Sequence, residues 1–227
     1  MPEKKIAAFF DVDGTLTTTR VWESIMAYFR AHHLRRGTHL RFLLTHYPLY
    51  FLSKMGLLDT MGFRKPWAEH LVWYVKGFTE AEGERVWRWA VNEFLVNHWR
   101  TDSRKKLQSH LDAGHVVILV SASPAPLLRW IGQELGVTHA LGTEFLVQNG
   151  RYTGKTGPVC IGEQKGILPK TYLQEQGIEI DYPNSYAYAD SVTDMGLFAM
   201  VGHPIATHPD DELRSIAEKE GWAIFPK

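Results

Sequence analysis

Three apolar segments of strand length constrain the fold more than any other feature of the chain. They are "KIAAFFDV" (5–12), "HVVILVSA" (115–122) and "SYAYADS" (185–191), each ending in small or acidic residues. Their apolar residues are continuous rather than alternating, which is typical of strands covered on both faces in a parallel sheet. Helical patterns accompany them, with stops at Gly114 and Gly136. This alternation predicts an α/β fold with a Rossmann-like parallel sheet core, helices on both faces, and ligand groups at the carboxyl ends of the strands.

The segment 17–100 has no strand pattern and is rich in aromatic, histidine and arginine residues at helical spacing. We therefore predict an inserted α-helical cap domain over residues 17–100 and a core domain over residues 1–16 and 101–227. Within the cap, the apolar segment 40–58 is interrupted by His46 and Pro48. We expect a buried cap helix that is kinked at the proline, with a lipid-facing or subunit-facing surface as the alternative.

The segment "TEFLVQNGRYTGK" has a different pattern, since two alternating stretches flank Asn149-Gly150. This dipeptide predicts a type I′ β-hairpin outside the main sheet. The overlapping "GRYTGKT" is similar to a phosphate-binding P-loop, but it has three residues between its glycines where that motif needs four. We interpret it as the return strand of the hairpin.

Composition excludes several classes of protein. The 227 residues include 25 basic and 25 acidic side chains, so the net charge of zero gives no long-range attraction to nucleic acid or anionic lipid. The single cysteine, Cys160, excludes an internal disulfide and suits a reducing cytosol. The start of the sequence lacks the pattern of a signal peptide, and no stretch approaches the roughly 20 apolar residues of a membrane-spanning helix. We expect a soluble, cytoplasmic protein.

Two pairs of acidic residues follow predicted strands: Asp11 with Asp13, and Asp190 with Asp194. A calcium-binding EF-hand loop is excluded for the first pair, because that register would place Phe9 and Arg20 at ligand positions. Each pair alone could be structural, the first as a turn and the second as a strand end followed by a helix cap. Together, carboxylates at the ends of neighbouring strands predict a Mg²⁺ site.

Two further residues are candidates for holding an anion. Ser121 places a hydroxyl at the end of a predicted strand, Ser123 lies close enough that it could share this role, and Lys165 offers a positive charge. The structural alternatives are a helix-capping serine and a solvated lysine. Ser121 lacks the G-x-S-x-G surroundings of a hydrolase nucleophile, and the 11 histidines lack the spacing of a zinc site.

The segments "DVDGTLT", "LVSAS" and "YADSVTD", together with Lys165, occur in the order of the four motifs of the haloacid dehalogenase (HAD) superfamily. The pattern most resembles the phosphoserine-phosphatase-like branch, subfamily IB, in which a helical cap follows the first motif. The resemblance implies a HAD-like fold. It also implies that Asp11 is the nucleophile that forms an aspartyl-phosphate intermediate, and that Asp13 is the general acid and base.

The resemblance implies roles for the remaining polar residues as well. The implied cofactor is Mg²⁺, with Asp11, the backbone carbonyl of Asp13, and Asp190 as its ligands. The implied phosphate-binding residues are Ser121, Lys165 and Thr15, with Asp194 supporting Lys165 or metal-bound water.

The substrate is less constrained. Phosphoserine phosphatases resemble one another in carrying a glutamate shortly after the first motif, where this chain has Arg20, with Glu23 three residues on. Both are substrate-specificity candidates. The expected function is Mg²⁺-dependent hydrolysis of a small phosphomonoester such as phosphoserine or histidinol phosphate, although the aromatic, basic cap could equally admit a larger organic phosphate. The alternatives are a phosphotransferase using the same intermediate and a non-catalytic binding module acting through its apolar cap. The expected partner is a small phosphorylated metabolite, without nucleic acid or membrane, and a homodimer is left open.

Overall fold

The computed structural model describes residues 4–226, so residues 1–3 and 227 of the predicted core domain lie outside the described residues. The strands are β1 (Ala7–Phe10), β2 (Val116–Pro124), β3 (His139–Thr143), β4 (Phe145–Gln148), β5 (Arg151–Thr156), β6 (Tyr186–Ala189), β7 (His203–Thr207) and β8 (Ala223–Phe225). The α-helices are α1 (Val21–Ala31), α2 (Arg36–Lys54), α3 (Thr60–His70), α4 (Glu80–Trp89), α5 (Thr101–Asp112), α6 (Ala125–Leu135), α7 (Gln164–Glu175), α8 (Met195–Phe198) and α9 (Asp211–Glu220).

Six strands form a parallel sheet in the order β3-β2-β1-β6-β7-β8. The central strand β1 is fully buried along its whole length. Ala8 and Phe10 belong to one apolar cluster, whereas Ala7 and Phe9 belong to a second one. This burial on both faces accounts for the continuous apolarity of the segment and confirms the predicted α/β fold. The order of the strands reverses at β1, which is where open α/β sheets place their ligand crevice.

The predicted hairpin is confirmed. β4 and β5 pair as antiparallel strands, and both residues of the connecting dipeptide have positive φ, 52° at Asn149 and 70° at Gly150. This is the backbone conformation that a type I′ turn requires. The segment "GRYTGKT" is therefore a return strand, as interpreted from the sequence. Its Tyr152 accepts a hydrogen bond of 3.3 Å from the indole nitrogen of Trp87, which joins the hairpin to α4.

Helices α1 to α4 lie between β1 and α5, where the cap was predicted. The two connections of this insert run side by side, since the amide of Thr18 donates to the carbonyl of His98 at 2.7 Å. Local signals start two of the helices: the side chain of Asp59 caps α3, and Thr79 and Glu82 form a capping box at α4. Large apolar side chains fill the interior of the insert, among them Phe29, Phe42, Tyr74 and Trp87. The division into a core domain and a cap domain stays a prediction.

The expectation of a buried helix over the apolar segment 40–58 is wrong. Helix α2 includes Pro48, and its only buried residues are Phe42 and His46. The reason is that the helix is apolar on several faces but packs on one side only, against α1, α3 and the turn at residues 71–74. The opposite face is exposed. Within residues 4–226, no helix is both long enough and apolar enough to cross a membrane.

Candidate active site

The carboxyl ends of β1, β2 and β6 meet at one pocket of about 440 Å³. Phe10 of β1 pairs with Leu119 of β2 and with Tyr188 of β6, so the residues that follow these positions converge. The pocket is lined by residues at the ends of the sheet strands and near the start of α7, and by residues of segment 17–100. They are Asp11, Asp13, Arg20, Trp22, Tyr47, Tyr50, Phe63, Arg64, Trp67, Ala68, Leu71, Ser121, Ala122, Ser123, Ile161, Lys165, Asp190, Ser191, Thr193 and Asp194.

Lys165 lies between two buried carboxylates at the floor of the pocket. Its ammonium group donates to Oδ1 of Asp11 at 2.6 Å and also to Oδ1 of Asp194. All three side chains are buried. Burial alone would lower the pKa of Lys165, but Asp11 and Asp194 outweigh it and raise that pKa above its ordinary value. Lys165 is therefore held as a cation.

Asp11 follows β1 directly and is almost completely buried. Burial raises the pKa of its carboxyl group well above the ordinary value, and the charge of Lys165 opposes this effect. The neighbouring carboxylates, first Asp194 and then Asp190, raise it further. A second cation beside Asp11 would favour the ionised form, which is the form a nucleophile needs.

Asp13 is oriented by three hydrogen bonds. Its Oδ1 accepts from the backbone amide of Val21 at 2.6 Å. Its Oδ2 accepts from the hydroxyls of Ser121 and Ser123, both at 2.9 Å. Ser121 thus contacts Asp13 in this structure, and its role in binding phosphate stays a prediction. Ser123, which the sequence offered as a residue that could share the role of Ser121, makes the same contact.

Three carboxylates are placed to hold a metal ion. Asp11, Asp190 and Asp194 each bring an oxygen within 4.8 Å of the others, and all three are buried. Burial, reinforced by Asp194, raises the pKa of Asp190 to about 6. Gly14, at a φ of 88°, runs so close to Asp190 that any Cβ there would collide with its carboxylate. This cluster of hard oxygen donors fits a small divalent cation such as Mg²⁺.

Arg20 contacts the same acidic cluster. Its Nη1 donates to the backbone carbonyl of Asp13 at 2.9 Å and to Oδ2 of Asp190 at 3.2 Å. These are two of the groups that the sequence resemblance implies as Mg²⁺ ligands. Arg20 therefore supplies positive charge at the cluster, and a cation bound to both groups has to share them with its guanidinium.

The other two candidate residues lie outside the pocket lining. Thr15 is fully buried, and its hydroxyl has no hydrogen-bond partner within the described part of the chain. Glu23 instead accepts a hydrogen bond of 2.7 Å from the hydroxyl of Thr19. The proposed roles of both residues stay predictions.

The sequence indicated that the aromatic, basic segment 17–100 faces the substrate, but it did not identify which residues of that segment reach the site. Arg64, on α3, donates to the hydroxyls of Ser191 at 3.0 Å and Thr193 at 3.1 Å, and so reaches the loop that carries Asp190 and Asp194. The aromatic walls of the pocket also come from the cap. The aromatic richness of segment 17–100 was a signal, but it could not tell which rings face the site.

Comparisons with known proteins agree with this geometry. The family model described as haloacid dehalogenase-like hydrolase matches residues 8–199. The phosphoserine phosphatase SerB1 of Mycobacterium tuberculosis is 32% identical over 234 residues, covering 96% of this chain and 70% of that protein. A histidinol-phosphatase of Neisseria meningitidis is 30% identical over 173 residues, covering 75% of this chain and 76% of that protein.

A solved structure supports the same fold. A protein of unknown function from Bordetella pertussis superposes with a TM-score of 0.83 at 26% identity, covering 98% of each chain. The motifs, the parallel sheet and the family match agree with one another. The chain therefore belongs to the haloacid dehalogenase-like hydrolase family and is a phosphatase of its phosphoserine-phosphatase-like branch.

Proposed function

We propose that this phosphatase hydrolyses a phosphomonoester through an aspartyl-phosphate on Asp11, with Mg²⁺ as cofactor. The observation that carries the proposal is the arrangement at the end of β1. Asp11 is buried against Lys165 at 2.6 Å, while Asp13, two residues on, is oriented by Ser121 and Ser123. One carboxylate is thus paired with a cation and the other with hydroxyls, which suits two different chemical roles.

In the first half of the reaction, a carboxylate oxygen of Asp11 attacks phosphorus and forms a new P–O bond. Only Oδ1 of Asp11 is bound by Lys165, so Oδ2 is the oxygen proposed to attack. The bond between phosphorus and the alcohol oxygen breaks, and Asp13 gives its proton to that oxygen. The alcohol then leaves, and the phosphoryl group stays on Asp11.

In the second half, Asp13 takes a proton from a water molecule, which attacks phosphorus. The bond between phosphorus and Asp11 breaks, which returns the carboxylate and releases inorganic phosphate. Lys165 supplies charge to the phosphoryl oxygens, and Asp194 holds Lys165 in place. The net reaction consumes one water molecule and yields one alcohol and one phosphate.

Mg²⁺ fits the donors present, with Asp11, the carbonyl of Asp13, and Asp190 as proposed ligands. When bound, it would offset the negative charge that the phosphoryl group brings next to Asp11. Because the relatives named above are a phosphoserine phosphatase and a histidinol-phosphatase, phosphoserine and histidinol phosphate belong in the panel of phosphomonoesters to be tested.

The test is phosphate release by purified protein from a panel of phosphomonoesters, with Mg²⁺ and with EDTA. We expect Asp11→Asn to lower kcat by at least about a thousandfold, because it removes the nucleophile and keeps the shape of the side chain. The matched control is Asp112→Asn, an exposed residue at the end of α5, which should keep full activity.

Retained activity in folded Asp11→Asn protein would contradict the proposal. So would wild-type hydrolysis that is equally fast in EDTA. Adding alcohols to the reaction and analysing the products separates hydrolysis from phosphoryl transfer to another acceptor.

A further inference from the structure

A continuous row of aromatic rings leads from the active site to the surface of the cap. Within the pocket, the ring of Trp22 lies 4.7 Å from that of Trp67, which lies 5.3 Å from Phe63. Phe63 lies 5.6 Å from Tyr50, also a pocket residue, and Tyr50 lies 5.8 Å from the exposed Phe51. The apolar wall of the pocket therefore continues onto the outside of α2.

The exposed face of α2 continues this wall along the helix. We call Leu40, Leu44, Tyr47 and Phe51, together with Met55 directly after the last residue of the helix, the α2 stripe. Their spacing of three and four residues places them on one side of the helix, over a length of about 22 Å at 1.5 Å per residue. They are between 49% and 70% exposed. Tyr47 belongs both to the stripe and to the pocket lining, so the two surfaces are continuous.

The charges of the pocket do not suit a substrate with an ammonium group. Among the lining residues, the only carboxylates are the four aspartates of the active site. Glu23 lies outside the lining and is bound to Thr19. The wall instead carries the cations Arg20 and Arg64. An ammonium group near these arginines would be repelled, and no additional carboxylate of the lining would pair with it.

We propose that the substrate is an amphiphilic phosphomonoester: a phosphate on a long apolar chain, without an ammonium group. The phosphate lies at Asp11, the first part of the chain lies against the aromatic row, and the remainder emerges over the α2 stripe. This proposal rests on the proposed function. It also explains why large apolar side chains stay exposed on α2, since the chain of a bound substrate covers them.

The first test is a series of alkyl phosphates that share one reacting group: butyl, octyl and dodecyl phosphate, assayed with Mg²⁺ below their aggregation concentrations. We expect kcat/KM to rise at least about tenfold from butyl to dodecyl, because each fully buried methylene is worth roughly fourfold in affinity. Phosphoserine and histidinol phosphate should be poorer than dodecyl phosphate. A 1-acyl-glycerol phosphate compared with glycerol 3-phosphate shows whether the natural chain is linked through glycerol.

Equal kcat/KM values for butyl, octyl and dodecyl phosphate would overturn the proposal. So would hydrolysis of phosphoserine or histidinol phosphate that matches or exceeds that of dodecyl phosphate.

The second test changes residues of the α2 stripe instead of the substrate. The double variant Leu44→Ser/Phe51→Ser should lower the ratio of dodecyl to butyl kcat/KM at least about fivefold, because it removes apolar contact from the α2 stripe. The matched control is Leu146→Ser/Val147→Ser, two exposed apolar residues on β4, which should leave that ratio unchanged. An unchanged ratio in the stripe variant would contradict the proposal.

A third measurement separates this inference from the proposed function. Calorimetry with Asp11→Asn protein and Mg²⁺ reports binding without turnover, and the affinity should rise with chain length. If the affinity rises with alkyl-chain length but the wild type hydrolyses none of the compounds, only the proposed function is contradicted. If hydrolysis requires Mg²⁺ but neither kcat/KM nor affinity changes with alkyl-chain length, only this inference is contradicted. The inference would also be overturned if the wild-type protein is a dimer, the stripe variant is a monomer, and the affinity does not depend on alkyl-chain length. The α2 stripe would then be the contact surface for a second copy of the protein.

Discussion

Lys165 supplies the positive charge between the buried carboxylates of Asp11 and Asp194. It is buried together with Asp11 and Asp194, and it donates a hydrogen bond to each. Burying one ammonium group with two carboxylates is costly unless all three are paired, so each member of the group is needed by the others. The same arrangement keeps Lys165 charged and places it next to Asp11, the proposed nucleophile.

This argument predicts a loss of stability when the lysine is removed. Lys165→Met should lower the free energy of unfolding by about 3–5 kcal/mol in the presence of EDTA, because it removes the cation that is paired with two buried carboxylates. Urea unfolding at pH 7.5 measures the change. The exposed Lys155→Met on β5 is the control and should stay within about 0.5 kcal/mol of the wild type.

Adding Asp194→Asn to Lys165→Met should recover part of the lost stability, since one unpaired charge is removed. A single Lys165→Met variant as stable as the wild type would show that the ion pairs do not matter for folding.

At the scale of elements, His110 joins helix α5 to the sheet. Its Nε2 lies 2.9 Å from the hydroxyl of Tyr188 on β6, and its Nδ1 lies 2.8 Å from Nδ1 of His115, just before β2. Burial, followed by the charges of His115 and Lys106, lowers the pKa of His110 to about 4. The folded protein therefore holds this imidazole neutral at neutral pH.

The lowered pKa makes stability depend on pH. In the unfolded chain His110 takes up a proton near its ordinary pKa of about 6.5, so unfolding is favoured as pH falls from 6.5 toward 4. Between pH 7 and pH 5, the wild type should lose about 1 kcal/mol more stability than His110→Gln, which cannot titrate.

Urea unfolding at both pH values measures this difference. His33→Asn, at an exposed position with positive φ that asparagine tolerates, is the control and should keep the pH dependence of the wild type. An equal pH dependence in His110→Gln and the wild type would contradict the assignment to His110.

Helix α2 shows what periodicity alone cannot resolve at this scale. Its sequence is apolar on more than one face, so the pattern predicts burial without saying how many neighbours the helix has. The fold supplies neighbours on one side, where Phe42 and His46 are buried, and leaves the α2 stripe exposed. The alternative of a lipid-facing or subunit-facing surface, which the sequence left open, stays open to the tests described above.

At the scale of the whole molecule, the sequence predicted the parallel sheet better than the arrangement of the helices in segment 17–100. The strands of the sheet are continuous apolar segments with motif residues at their ends. The order of these segments along the sequence therefore already indicates which residues converge at Asp11. The cap meets the core through long-range contacts, such as Arg64 with Ser191 and Thr193. No local sequence pattern marks these contacts. The residues that form the walls of the pocket could therefore be identified only from the three-dimensional structure.

The same difference applies to substrate recognition. The motif residues lie at the carboxyl ends of β1, β2 and β6, while segment 17–100 supplies the aromatic row and the α2 stripe, which are proposed to contact the chain attached to the phosphate. Relatives that share the core motifs can therefore act on different substrates.

The central claim is that the phosphoryl group passes through Asp11. The most direct measurement is acid quenching of a Mg²⁺-containing reaction within one turnover, followed by mass analysis of the peptide that contains Asp11. We use the Asp13→Asn variant with p-nitrophenyl phosphate, because its phenolate leaves without a proton from Asp13, whereas removal of the intermediate still needs Asp13 and should be slow. The account predicts a peptide heavier by one phosphoryl group, with the modification on Asp11 and absent when Asp11 is also changed to Asn. Turnover without any phosphorylated Asp11, or a phosphoryl group on another residue, would contradict it.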